Sequence, residues 1–242
     1  MADTVGPTID NFFHSFNNKF EPRVRGHLKN VYASLTMCVL SAAAGAYIHM
    51  FTNILSGGGI LLSLLGLELA LGLFMTPDNG KNRSTRLARL LGFAFFSGLG
   101  LGPLLDMAVH LYPSIVPSAL MLTTVIFACF SGAALFAPDG KYLYLGGSLL
   151  SGLSTLIFLG FLNIFFRSQL LFQVHIYLGL AIFCGFIMFD TQVIILKARC
   201  GDTDFIAHSL DLFIDFIQIF RKIVILLMQK EKKEDRNQKK RR

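Results

Sequence analysis

The chain has 242 residues, of which 53% are hydrophobic and only 15% are charged. Soluble domains carry about 25% charged residues, and one soluble core could not cover this much apolar surface, so the excess must face lipid. The formal charge is +7, but the basic residues gather at the termini and in one loop, without the interleaved cations and aromatics of a nucleic-acid surface.

Residues 1–30 read as a polar, basic segment without a cleavable signal peptide. A membrane span needs about 20 mostly apolar residues, and seven such runs follow, at 31–51, 57–75, 87–111, 115–136, 143–165, 171–195 and 205–228. The expected fold is an all-α membrane protein, a bundle of about seven transmembrane helices over 31–228, followed by a basic tail over 229–242. The connections are short and rich in Pro, Gly, Asn or charge, as in the APDGK run ending at Lys141. Small residues recur four apart at Ser41 and Gly45, Gly98 and Gly102, and Gly147 and Ser151, a spacing that lets helix backbones approach in lipid. The GLGLGP run ending at Pro103 lies inside a span with no preceding strand, which favours packing over phosphate binding. Cys38, Cys129, Cys184 and Cys200 form no CxxC pair and read as packing residues.

Lys and Arg flank the N-terminal side of the first span and crowd the second and sixth connections, which places the N-terminus in the cytosol. Seven full crossings would then leave the basic tail outside, against the charge rule. The last segment is therefore either re-entrant, with a cytosolic tail, or a full span that breaks the rule. In a cytosolic tail Lys239 and Lys240 would stand where a dilysine retrieval signal belongs; a solvated tail touching anionic lipid headgroups is the plainer reading.

The last segment differs from the rest. Asp204, His208, Asp211, Asp215, Gln218 and Lys222 fall at alternating steps of four and three, which places them on one helical stripe among Phe, Ile, Leu and Val. Carboxylates facing lipid are expensive, so the stripe points into protein or water, as in a central helix; a helix lying along the membrane surface would show the same stripe. Asp190 and Glu68 also lie deep in apolar runs, with Arg89 and Arg221 the nearest cations by depth. If Asp190 and Asp215 meet, two carboxylates about 4 Å apart repel by roughly 4 kcal/mol at an effective dielectric near 20. They would titrate as one coupled pair, able to respond to physiological pH. When deprotonated they would offer calcium a weak partial site, because that ion takes six to eight oxygens. A protonated pair that only joins two helices is the structural alternative. His208 could bias such a response, and Asp211 and Gln218 share its face.

The stretches KNVYASLTMCVLSAAAGAYIHM, LLGFAFFSGLGLGP, GFIMFDTQVII and HSLDLFIDFIQIFRK resemble the transmembrane Bax-inhibitor-motif family, from about Leu28 to the end of the seventh segment. The resemblance implies a last helix surrounded by the other six, a calcium leak across the endoplasmic reticulum membrane, and suppression of cell death. It implies that the pH-sensitive aspartate pair is Asp190 in FDTQ and Asp215 in DLFIDFI, and that proteins of the Bcl-2 class are partners. The arginine with which bacterial relatives pair the dyad has no equivalent in the apolar part of the second span.

The expected function is thus a pH-sensitive calcium leak channel, or a proton–calcium exchanger, with calcium as the transported ion, no cofactor, and lipids as surroundings. A non-transporting scaffold that binds cell-death regulators is the alternative. An intramembrane aspartyl protease would need a GxGD sequence, whereas Asp190 follows Met188 and Phe189 and Asp215 follows Phe213 and Ile214. With no HExxH or GxSxG pattern either, no enzyme is expected. A seven-helix receptor fits the span count, but its loops are too short to bind much.

Overall fold

The computed structural model describes residues 19–52 and 59–241, with the side chains of 59–63 and 239–241 outside the description. Those residues form seven helices: α1 (Pro22–Thr52), α2 (Gly59–Met75), α3 (Arg83–Leu111), α4 (Ile115–Phe136), α5 (Leu145–Phe166), α6 (Gln169–Arg199) and α7 (Phe205–Arg241). Five of them, α1 and α3 to α6, are long and apolar enough to cross a bilayer, as expected of a multi-pass membrane protein. The described α2 has 17 residues, about 26 Å against a hydrocarbon core of about 30 Å. The 37 residues of α7 suffice in length, but its charged stripe and the charged run from Lys230 onward lower its hydropathy. No chain reversal interrupts α7, and α1 begins at Pro22, inside the stretch read as a polar lead-in.

α7 is the central helix. It packs on α6, α1, α4 and α3, while α2 packs mainly on α3 and α5 mainly on α6. The inner ring therefore has four helices rather than six. Leu212, Phe213, Ile219 and Val224 are all fully buried, on different sides of α7, which fits a core helix and not a surface one. At the periphery, α5 buries only Leu149 and Leu156; its Ile157, Phe161, Ile164 and Phe165 are exposed, as lipid-facing residues are.

The closest approach is between α1 and α3. A Cβ on Gly45 would strike the Phe95 carbonyl, one on Gly98 the Ala42 carbonyl, and one on Gly102 the His49 ring. Ser41 Oγ donates to the Leu91 carbonyl at 2.9 Å across the same contact. Two of the three small-residue pairs thus do what their spacing predicts. The third does not, since Gly147 faces open space. The GLGLGP run is continuous helix, with Pro103 inside α3.

Candidate functional site

The FDTQ run of α6 sends three consecutive side chains to three partners. Asp190 meets Asp215 of α7, the two carboxyls lying within hydrogen-bonding reach of each other. Thr191 is fully buried, with its Oγ1 3.4 Å from Ser131 Oγ on α4, and Ser131 in turn bonds the Tyr32 hydroxyl of α1. Gln192 closes the C-terminal end of α4: its Nε2 donates to the Ala134 carbonyl at 2.6 Å, and its Oε1 accepts from the Gly140 N–H at 2.7 Å. Lys19 completes that end by donating to the Leu135 and Ala137 carbonyls at 2.7 and 2.5 Å. An ammonium and an amide thereby satisfy helix-end carbonyls that have no partner within the helix. Burial pulls the Lys19 ammonium below its usual range, an effect Asp139 partly opposes.

Asp215 is 3% exposed, and its Oδ2 is buried with no donor. Asp211, one turn earlier, acts electrostatically on both members of the pair, and Lys197, two turns along α6, is a cation acting on Asp190. Among the described residues no group of three His, Cys, Asp or Glu side chains could hold a metal ion. The pair alone offers a divalent cation two carboxylates, which backbone carbonyls and water would have to supplement. Two carboxylates side by side, Asp215 buried and Asp190 half-buried, need either a shared proton or a cation between them, and the same oxygens serve both.

At its N-terminal end α7 is anchored by a charged cluster. Asp204 Oδ1 accepts from the Ala207 N–H at 3.1 Å as the N-cap, while its Oδ2 pairs with Arg86 Nη2 of α3 at 2.5 Å. Burial would raise the Asp204 carboxyl, but the Arg86 hydrogen bond and the Ala207 N–H hold it below its ordinary value. Arg86 Nη1 is 3.4 Å from Asp78 Oδ1, and Arg83 stacks its guanidinium over the Phe205 ring at 4.9 Å. Beside them the buried rings of His27 and His208 meet edge to face, with Nε2 of His27 2.9 Å from Nδ1 of His208. His208 Nε2 lies 3.7 Å from Asp202 Oδ2.

The remaining expected site residues are dispersed. Gln218 lines clefts on both sides of α7. Glu68 is exposed on α2, in a shallow cleft shared with Arg89 and apart from the stripe. Arg89 bonds the Gly72 carbonyl and the Thr76 hydroxyl rather than an acid. The side chains of Lys239 and Lys240 lie outside the described residues. Sequence reasoning missed Arg86, Gln192 and His27. Only Gln192 gave a signal, as the neighbour of Asp190 in one motif.

Residues 24–232 match the family model described as "Inhibitor of apoptosis-promoting Bax1". The chain is 50% identical over 213 residues to "Probable Bax inhibitor 1" of Paralichthys olivaceus, covering 87% of this chain and 89% of that one. It is 48% identical over 219 residues to "Bax inhibitor 1" of Homo sapiens, covering 90% and 92%. With "Bax inhibitor 1" of Arabidopsis thaliana the identity is 41% over 212 residues, covering 87% and 84%.

Proposed function

Because the chain belongs to the family of inhibitors of apoptosis-promoting Bax1, we propose that its anti-apoptotic function works through a pH-sensitive calcium leak, by channel or by proton–calcium exchange, in the endoplasmic reticulum membrane. The observation that carries this reading is the Asp190–Asp215 pair, with carboxyls in mutual reach between α6 and the central helix and Asp215 Oδ2 buried without another partner. Two ionised carboxylates about 4 Å apart repel by roughly 4 kcal/mol at an effective dielectric near 20. A proton or a cation relieves that repulsion, so the two compete for one position. Protonation closes the pair into a helix-joining hydrogen bond, and deprotonation leaves two carboxylate ligands for calcium in the bundle. Binding of Bcl-2-class proteins belongs to the same proposal and rests on family membership. The test is calcium efflux from liposomes of the purified chain. Asp215→Asn should alter both the flux and its pH dependence, and unchanged flux would sink the assignment.

A further inference from the structure

The polar stripe of α7 changes sign along its length. Asp204, Asp211 and Asp215 occupy its first half, and Gln218 and Lys222, with the exposed Arg221 beside them, follow toward the other end of the bundle. Lys222 lies about 27 Å along the helix axis from Asp204, at 1.5 Å per residue. It is 6% exposed and makes no hydrogen bond or ion pair with any described residue. Its stem crosses Gly179 of α6, where a Cβ would collide with Lys222 Cε, and its Nζ stands 5.0 Å from the centroid of the Phe183 ring.

A cation–π contact compensates only part of the cost of burying an ammonium, and no counter-charge among the described residues supplies the rest. Instead Lys222 lines a cavity of about 160 Å³ together with His175, Gln218 and Arg221, walled by Phe172 and Ile225. His175 Nδ1, by contrast, turns away toward Gly160 of α5, where the Leu156 carbonyl acts on the ring. A second cleft of about 290 Å³ shares Gln218 and Arg221 and reaches Ser97 of α3. Among the described residues no Asp or Glu lines either hollow.

We propose that the Lys222–Arg221–His175–Gln218 cavity is a binding site for a phosphoryl anion, either the phosphate of an anionic lipid headgroup or a free phosphate. Every described polar side chain in its wall can donate a hydrogen bond, and the guanidinium and ammonium supply the charge-assisted ones that phosphate oxygens take best. The position suits both sources. Lys222 lies six residues before Met228 and His175 six residues after Gln169, so the cavity sits near the end of the bundle where α5 passes into α6. There Phe165, Phe166 and Leu170 are about 70% exposed, an apolar surface along which acyl chains can lie.

The test uses the full chain in neutral detergent and reads retained lipid by native mass spectrometry and the unfolding midpoint by thermal scan. Phosphatidylglycerol, phosphatidylcholine and inorganic phosphate (against chloride) are the probes. The expected result is phosphatidylglycerol retained at least about tenfold over phosphatidylcholine, a factor of ten being about 1.4 kcal/mol, with the preference lost in Lys222→Met and reduced in Arg221→Gln. Lys230→Gln, a change at a lysine whose side chain is 68% exposed, should leave it intact. Stabilisation by inorganic phosphate in wild type assigns the site to a free anion, and stabilisation by phosphatidylglycerol alone assigns it to a lipid headgroup. Equal retention of both lipids with no effect of phosphate on wild type would overturn the proposal, as would a preference that survives both substitutions. Should Lys222→Met fail to fold, Arg221→Gln and the wild-type arms decide alone.

Discussion

Arg86 Nη2 lies 2.5 Å from Asp204 Oδ2, in a contact where the arginine side chain is 3% exposed and the aspartate 21%. One bond thus joins the first turn of α3 to the N-cap of the central helix. Asp204→Ala removes the cap and leaves the buried guanidinium with only the looser Asp78 contact at 3.4 Å. Breaking such a pair from one side should lower stability by about 3 kcal/mol. Thermal unfolding in detergent measures this, and an unchanged midpoint would show that the bond contributes nothing.

The same contact has a defined pH behaviour. The folded Asp204 carboxyl is held below its ordinary value, so its contribution is complete above the unfolded value of about 3.9 and fades only as pH falls through the folded one. Between about pH 5.5 and 7.5 the anchor therefore stays closed. The destabilisation of Asp204→Asn should be the same at both pH values. A penalty that shrinks at the lower value would mean that the carboxyl titrates higher than its surroundings imply.

His27 and His208 share one hydrogen bond between ring nitrogens 2.9 Å apart, so one ring must stay neutral to accept it. His208→Leu leaves the buried His27 Nε2 unpaired and should cost about 1–3 kcal/mol. Replacing both rings by Leu should cost less than the sum of the single changes, a coupling that a double-mutant cycle reads directly. Strict additivity would argue against the pair.

Gly98 and Gly147 look alike in sequence but not in space. A Cβ at Gly98 meets the Ala42 backbone, which no rotamer change relieves, whereas Gly147 faces open space. Gly98→Ala should destabilise by about 1–3 kcal/mol through forced separation of α1 and α3. Gly147→Ala should be neutral or slightly stabilising. Equal thermal midpoints for the two variants would contradict the close α1–α3 contact.

Much of this arrangement was legible in the sequence because lipid imposes a simple grammar. Long apolar runs announced the helices, and the alternating steps from Asp204 to Lys222 announced that α7 must hide one face. Rotation and distance around the bundle were not legible. Glu68 read as a buried acid because it lies mid-run, yet α2 sits at the periphery and turns it outward. Arg86 read as one loop cation among several, because the acids that bury it, Asp78 and Asp204, come from separate connections and share no pattern with it. The juxtaposition of Asp190 and Asp215 came from family resemblance; spacing alone left a purely structural pair open. Gln192 lay beside Asp190 in the sequence, but its task of closing the end of α4 depends on a contact 58 residues distant.

The central claim is that Asp190 and Asp215 act as one unit that exchanges a proton for a cation. Calcium efflux from proteoliposomes tests it most directly, at about pH 6 and 7.5 on either side of neutrality, for wild type, Asp190→Asn, Asp215→Asn and the double variant. The account predicts a pH-dependent leak in wild type, the same altered and pH-insensitive leak in each single variant, and no further change in the double variant, as for two groups of a single site. A leak indifferent to both substitutions, or single effects that simply add in the double variant, would contradict it.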